Sequence, residues 1–218
     1  MKNLLYKEYM LAVHPLFFLF ILMGAMMLIP DYCYYVAFIY SVLVVINNIF
    51  TSGKANKDIE YTTLLPIKKS DAVKARFLSV CVYELANILS AGIFAVVSHL
   101  VYGSGLNQAG IDINPAFFGF VFVMFGGFNF IYLTEFYKTG HKILKPILFA
   151  GGFFMLFIGV AETLAQYIQS PVSAYLDSST PEGMLMQIPV LIAGIVLFVL
   201  LNLWGFKVSA KRFERLDL

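Results

Sequence analysis

The chain has 218 residues, of which 60% are hydrophobic, 17% aromatic and only 13% charged, with a formal net charge of +2. A soluble domain carries roughly 25% charged residues, so this composition excludes one and points to an all-α integral membrane protein. No polar stretch is long enough to fold separately, and a single domain over residues 1–218 is expected.

A helix needs about 20 mainly apolar residues to cross about 30 Å of hydrocarbon. Six stretches approach that length: Met10 to Ile29, Tyr32 to Phe50, Phe77 to Tyr102, Pro115 to Thr134, Pro146 to Ile168 and Met186 to Phe206. Before the first, residues 1–9 mix Lys2 and Lys7 with Leu and Tyr as a short interfacial helix would, with Leu5, Tyr9 and Ala12 on one face and Lys7 and His14 on another. A basic start before an apolar run resembles a signal peptide. Here the run ends in Ile29-Pro30-Asp31 without a small-residue cleavage pattern, so it is read as a retained first helix. Pro30 has no N–H to continue that helix, which makes the first two spans a tight hairpin. His14-Pro15 leaves a re-entrant first segment as the alternative. Cys33 and Cys81 sit in apolar runs, where neither a disulfide nor a metal site is expected.

With six spans, all 15 Lys and Arg residues fall on one side: the N-terminal stretch, the 51–76 loop, the 135–145 loop and the C-terminal tail. The opposite loops carry Asp31, Asp112, Asp177 and Glu182. The positive-inside rule makes the basic side cytoplasmic and places both termini there.

The loop after the second span is patterned. Asp58 to Leu65 can form a short helix that Pro66 ends, and Ser70 with Asp71 supplies an N-cap and a dipole partner for the helix entering the third span. Tyr61, Leu64, Leu65 and Ile67 on such a helix present apolar surface to the cytosol, which another protein would cover. The order Leu64-Leu65-Pro66-Ile67-Lys68-Lys69, then Asp71 to Leu78 opening the third span, resembles the membrane subunits of type-2 ABC exporters. More narrowly it is similar to small six-helix permeases that export phenol-soluble modulins or antimicrobial peptides. The resemblance implies a coupling segment over residues 57–70 that docks on a separate ATPase subunit. Asp58, Glu60, Tyr61, Leu64, Leu65, Pro66, Ile67, Lys68 and Lys69 would form or flank that contact. It also implies two ATPase copies holding ATP and Mg, and a second permease copy in a homodimer or heterodimer. The substrate would be an amphipathic peptide or another apolar molecule exported across a bacterial plasma membrane. No nucleic-acid partner is expected. No short helix is assigned in the loop from Gln169 to Leu185, so the family's extracellular gate is not carried over.

The 135–145 loop pairs Glu135 with Lys138 at i, i+3 and reads either as a second ATPase contact or as a solvated basic turn. Gly53-Lys54-Ala55 does not make a phosphate loop, and His14, His99 and His141 are too scattered for metalloprotease chemistry, so no enzyme is expected. Glu84 and Glu162 fall within predicted spans, where an acid is costly and therefore a candidate functional group. Against this, Glu84 can bond a polar neighbour such as Asn87, and Glu162 can reach the outer interface. His99 and Asn129 are expected to bond between helices. The Phe-rich fourth and fifth spans are read mainly as lipid-facing or packing, and Gly126-Gly127 and Gly151-Gly152 as points of close approach or bending. Two readings compete with the exporter: a proton-coupled secondary transporter using Glu84 or Glu162, and a membrane scaffold that transports nothing.

Overall fold

The computed structural model describes residues 2–12, 15–103, 107–140, 142–167 and 171–216, and every regular element among them is a helix. His14 and His141 lie outside the described residues. Helix α1 (Lys2–Lys7) runs on through Glu8–Ala12, and α2 covers Pro15–Leu28. They are followed by α3 (Tyr35–Ala55), α4 (Asp58–Leu64), α5 (Lys69–Tyr102) and α6 (Pro115–Phe136). Then come α7 (Leu144–Glu162, continuing to Tyr167), α8 (Pro171–Leu176), α9 (Pro181–Met186) and α10 (Ile188–Glu214). Among the described residues five helical stretches are long and apolar enough to cross a bilayer: α3, α5, α6, α7 and α9 with α10. Helix α2 is apolar but shorter.

Local chemistry explains the breaks. Pro30 and Asp31 make the turn after α2, with Asp31 at φ 52. Leu65 leaves the helical region at φ −78, ψ 148 because Pro66 disfavours a helical residue before it. The expected N-cap of α5 is corrected: Lys68, extended and without a side-chain capping bond, holds that position. Ser70 and Asp71 fall inside the first turn, where Asp71 still meets the positive end of the helix dipole.

Helix α6 is the centre of the bundle. Phe117, Phe125 and Phe128 on it are fully buried, as are Phe38 and Phe50 of α3 and Phe154 of α7. Their rings meet edge-on, with centroids 5.6 Å apart for Phe38–Phe125 and 5.0 Å for Phe128–Phe154, the arrangement that aromatic quadrupoles favour. The phenylalanines of α6 are therefore chiefly packing residues. Glycines let α10 reach α6: a Cβ on Gly119 would stand 2.7 Å from the Val190 carbonyl oxygen, and one on Gly126 3.0 Å from the Phe198 Cα. Close backbone approach of this kind replaces the hydrophobic drive that lipid cannot supply. Gly151 and Gly152 differ from expectation, since no atom lies within 4 Å of a Cβ on either, so they are not contact points.

Helix α2 leans on α5 at Gly24, whose added Cβ would meet the Ala91 nitrogen at 2.5 Å. Its backbone carbonyls are covered by neighbours: Ser41 Oγ donates to the Phe20 oxygen at 3.3 Å and Asn87 Nδ2 to the same oxygen at 3.3 Å. The loop from Gln169 to Leu185 contains two short helices that the sequence reading leaves unassigned. Pro171 and Pro181 each open one at its first turn, and Thr180 caps α9 by accepting from the Gly183 N–H at 3.1 Å.

Candidate functional site

At one end of the bundle α1, α4 and the start of α5 are joined by a buried set of charges. Arg76 lies one turn before the apolar body of α5 and is only 5% exposed. Its Nε pairs with Glu8 Oε2 at 2.5 Å and its Nη2 donates to Asp58 Oδ2 at 2.6 Å, while its guanidinium stacks on the Phe50 ring, 5.0 Å from the centroid. Lys7 Nζ bonds Asp58 Oδ1 at 2.7 Å and Thr62 Oγ1 at 2.8 Å. Two cations and two carboxylates thus neutralise one another where water is largely excluded. The planar guanidinium meets the two acids through separate nitrogens in a fixed fork, and the Lys7 ammonium lies between the same two carboxylates, 2.7 Å from Asp58 and 3.4 Å from Glu8.

This arrangement fixes which face of α4 is left over. Asp58 and Thr62 point inward, whereas Tyr61 is 55% and Leu64 83% exposed. Glu60 and Lys57 are exposed and form a loose pair at 3.9 Å. Leu65 and Ile67 are half-buried, and Pro66 and Lys68 are exposed. Lys69 turns away from this surface: its Nζ donates to the Leu216 carbonyl at 2.7 Å and stands over the Phe213 ring, tying α5 to the end of α10. Of the nine residues expected around the coupling contact, Asp58 and Lys69 therefore have structural partners inside the chain. Tyr61 and Leu64 carry the free apolar surface, with Glu60, Pro66 and Lys68 around it.

Sequence reading missed Lys7, Glu8 and Arg76 as members of this site. A weak signal was present, since Arg76 is the sole arginine before Arg212 in a chain that otherwise uses lysine. Arginine is the residue suited to a buried two-carboxylate contact. At the same end Glu135 lies 3.7 Å from Arg212, 3.9 Å from Lys145 and 4.0 Å from Lys138. The expected i, i+3 pair is one part of a cluster that draws α6, α7 and α10 together.

The two membrane carboxylates occupy different settings. Glu84 is fully buried, and its partner is Asn129 of α6 rather than Asn87: Asn129 Nδ2 donates to Glu84 Oε2 at 2.7 Å and to Asn202 Oδ1 at 3.1 Å. Cys81 Sγ also reaches Asn202 Oδ1, at 3.3 Å. This polar cluster binds α5, α6 and α10 mid-bundle. Glu162 holds the loop before α6 at the opposite end of the bundle, accepting the Ile111 N–H at 2.9 Å. Beside it Asp177 Oδ1 accepts the Asp112 N–H at 2.8 Å, Asn114 Nδ2 donates to the Leu176 carbonyl at 2.8 Å, and Ser179 Oγ donates to Asp112. His99 faces an apolar groove of about 780 Å³ between α5, α6 and α10, and its Nε2 finds no hydrogen-bond partner among the described residues. Among the described residues no group of His, Cys, Asp and Glu gathers in a way that could hold a metal ion.

A family model described as "ABC-2 family transporter protein" matches residues 3–209. Comparison with curated proteins and with solved structures finds no match.

Proposed function

The chain belongs to the ABC-2 family transporter proteins, and from that premise we propose that it is the membrane subunit of an ATP-driven exporter whose ATPase is a separate chain. The observation that carries the reading is the split of α4 into two faces. Asp58 and Thr62 anchor it to Lys7 and Arg76, while Tyr61 and Leu64 project outward with nothing among the described residues to cover them. A helix held rigidly from behind and apolar in front can pass a push from a docked ATPase into α5 and α1. ATP and Mg belong to that partner.

Two ATPase copies and a second permease copy complete the proposed assembly. The six-span topology, with both termini on the cytoplasmic side, is supported by the tight winding of α2. Fourteen residues rising about 2.0 Å each reach about 28 Å, close to the roughly 30 Å of a hydrocarbon core. The proposed cargo is an amphipathic or apolar molecule, a peptide first among them, by the family resemblance.

The test is co-expression with a candidate ATPase and purification through a tag on this chain. Wild type should retain the ATPase, and Tyr61→Asp with Leu64→Asp should lose it while its thermal midpoint in detergent stays the same. Equal retention by both forms sinks the docking surface. A purified chain that never holds an ATPase but moves protons with substrate would replace the exporter by a secondary transporter.

A further inference from the structure

A cavity of about 510 Å³ opens between the end of α3 and the start of α7, at the same end of the bundle as the buried charges. Its mouth carries Lys54, Lys142 and Lys145, and its wall is Leu144, Leu148 and Phe149. The three apolar residues are 72%, 63% and 53% exposed. Lys145 and the pair Leu148 and Phe149 stand at i, i+3 and i+4, one turn apart on one face of α7. The face continues inward without a charge through Gly152, Met155, Leu156, Gly159 and Val160, all exposed. At Gly152 and Gly159 no atom lies within 4 Å of an added Cβ, so this face of the helix is open and apolar.

From Lys145 to Val160 this apolar face is about 22 Å long at 1.5 Å per residue, enough for one leaflet of a core about 30 Å thick. Cations at an interface above an exposed apolar face are complementary to one kind of molecule. We propose that this cavity is a binding site for an anionic phospholipid, with its phosphate on Lys54, Lys142 and Lys145 and an acyl chain along Leu148, Phe149 and the glycine-lined face beyond. Among the described residues Glu135 is the carboxylate paired with Lys145, at 3.9 Å, and it is shared with Lys138 and Arg212, so the site keeps a positive excess. Lys54 also lines the small cavity against Asp58 and Lys57. A lipid held there lies beside the turn between α3 and α4.

The inference rests on the chain spanning a bilayer and not on ATPase docking, so it can fail while the exporter reading stands. The experiment is native mass spectrometry of the full chain in detergent, titrated with phosphatidylglycerol and, separately, phosphatidylcholine. Wild type should hold phosphatidylglycerol in preference. Each lysine near an anionic surface is worth about fivefold in binding, so Lys54→Gln, Lys142→Gln and Lys145→Gln together should weaken it at least about 20-fold. The control triple Lys74→Gln, Lys207→Gln and Lys211→Gln removes the same charge from exposed positions elsewhere and should change it little. Leu148→Asn should weaken binding of long-chain lipid, and soluble glycerol phosphate should not displace it. Equal loss in the control triple, equal retention of phosphatidylcholine, displacement by glycerol phosphate, or a second copy of the chain leaving with the lysines in place of lipid would each overturn the proposal.

Discussion

Arg76 holds two carboxylates at once, and its loss would leave Glu8 and Asp58 facing each other with only Lys7 between them. Removing one partner from a buried charged set costs about 3–5 kcal/mol, because the stranded charge keeps its desolvation penalty. Arg76→Met should therefore lower the thermal midpoint in detergent strongly, and Arg76→Lys by less, since the ammonium can satisfy one carboxylate. Lys7→Met should cost less than Arg76→Met, because Asp58 and Glu8 both retain Arg76. Equal midpoints for wild type and Arg76→Met would mean that the set contributes nothing to the fold. Glu84 offers a contrasting case. Asn129 donates to one of its oxygens, and a glutamine carbonyl can accept the same bond. Glu84→Gln should thus keep the stability within about 0.5 kcal/mol, whereas Glu84→Leu, which leaves one of the two Asn129 amide hydrogens unmet while the other stays on Asn202, should cost about 1–3 kcal/mol. If Glu84 instead carries protons during transport, Glu84→Gln abolishes transport at an unchanged midpoint, and that single result would favour the secondary-transporter reading. These pairings were not legible in the sequence. Arg76 and Glu8 are 68 positions apart, Glu84 and Asn129 are 45 apart, and nothing in a pattern of apolar spacing reports which two helices meet.

Elements fared better where a local rule decides. The end of α4 at Leu64 follows from Pro66, and the single-face burial of α4 follows from Asp58 and Thr62 at i, i+4. Helix α9 was available from Thr180-Pro181, a capping residue before a proline, and α8 from Pro171, but each helix is six residues long and gives no apolar period to see. At the α6–α10 contact, Gly119→Val should force the helices apart and cost about 1–3 kcal/mol, as overpacking does. Gly151→Ala fills open space within a helix and should be neutral or stabilise by up to about 1 kcal/mol. Comparable losses from both would show that glycine matters on α6 and α7 for reasons other than contact. On the opposite end, burial, and then the nearby Asp112 charge, raises the Asp177 carboxyl above its ordinary value despite the bond from the Asp112 N–H. A raised carboxyl makes the ionised form unfavourable in the folded chain. Stability should therefore rise as pH falls from the folded value of Asp177 toward its unfolded value near 3.9. Asp177→Asn keeps the acceptor and removes the charge, so the difference in midpoint between variant and wild type should shrink as the medium is acidified through that window. A difference that stays constant with pH would assign the effect to packing.

Across the whole molecule, the distribution of charge and the packing of the helices make the same statement by independent routes. Lys7, Arg76, Glu135, Arg212 and the Lys69–Leu216 contact all gather at one end, while Asp112, Asp177 and Glu162 brace the loops at the other. The proposed six-span topology accounts for that sorting with an even number of crossings between Lys7 and Arg212. The count turns on helix α2, because the five long stretches alone would put the two termini on opposite sides. Its 14 residues are too few at the α-helical rise, about 21 Å, and sufficient at the tighter rise of about 28 Å, a distinction that no apolar count can draw from sequence. Cysteine labelling with a membrane-impermeant maleimide settles it. In a background with Cys33 and Cys81 replaced by serine, Lys74→Cys and Lys211→Cys should react only after the membrane is opened, and Gln108→Cys and Glu182→Cys should react in intact cells. A cysteine at Tyr6, exposed on α1, is the discriminating position. Protection in intact cells together with Lys211→Cys means that α2 crosses; labelling from outside means that α2 does not, and the ion pairs joining Lys7 and Glu8 to Asp58 and Arg76 could not then form across the membrane.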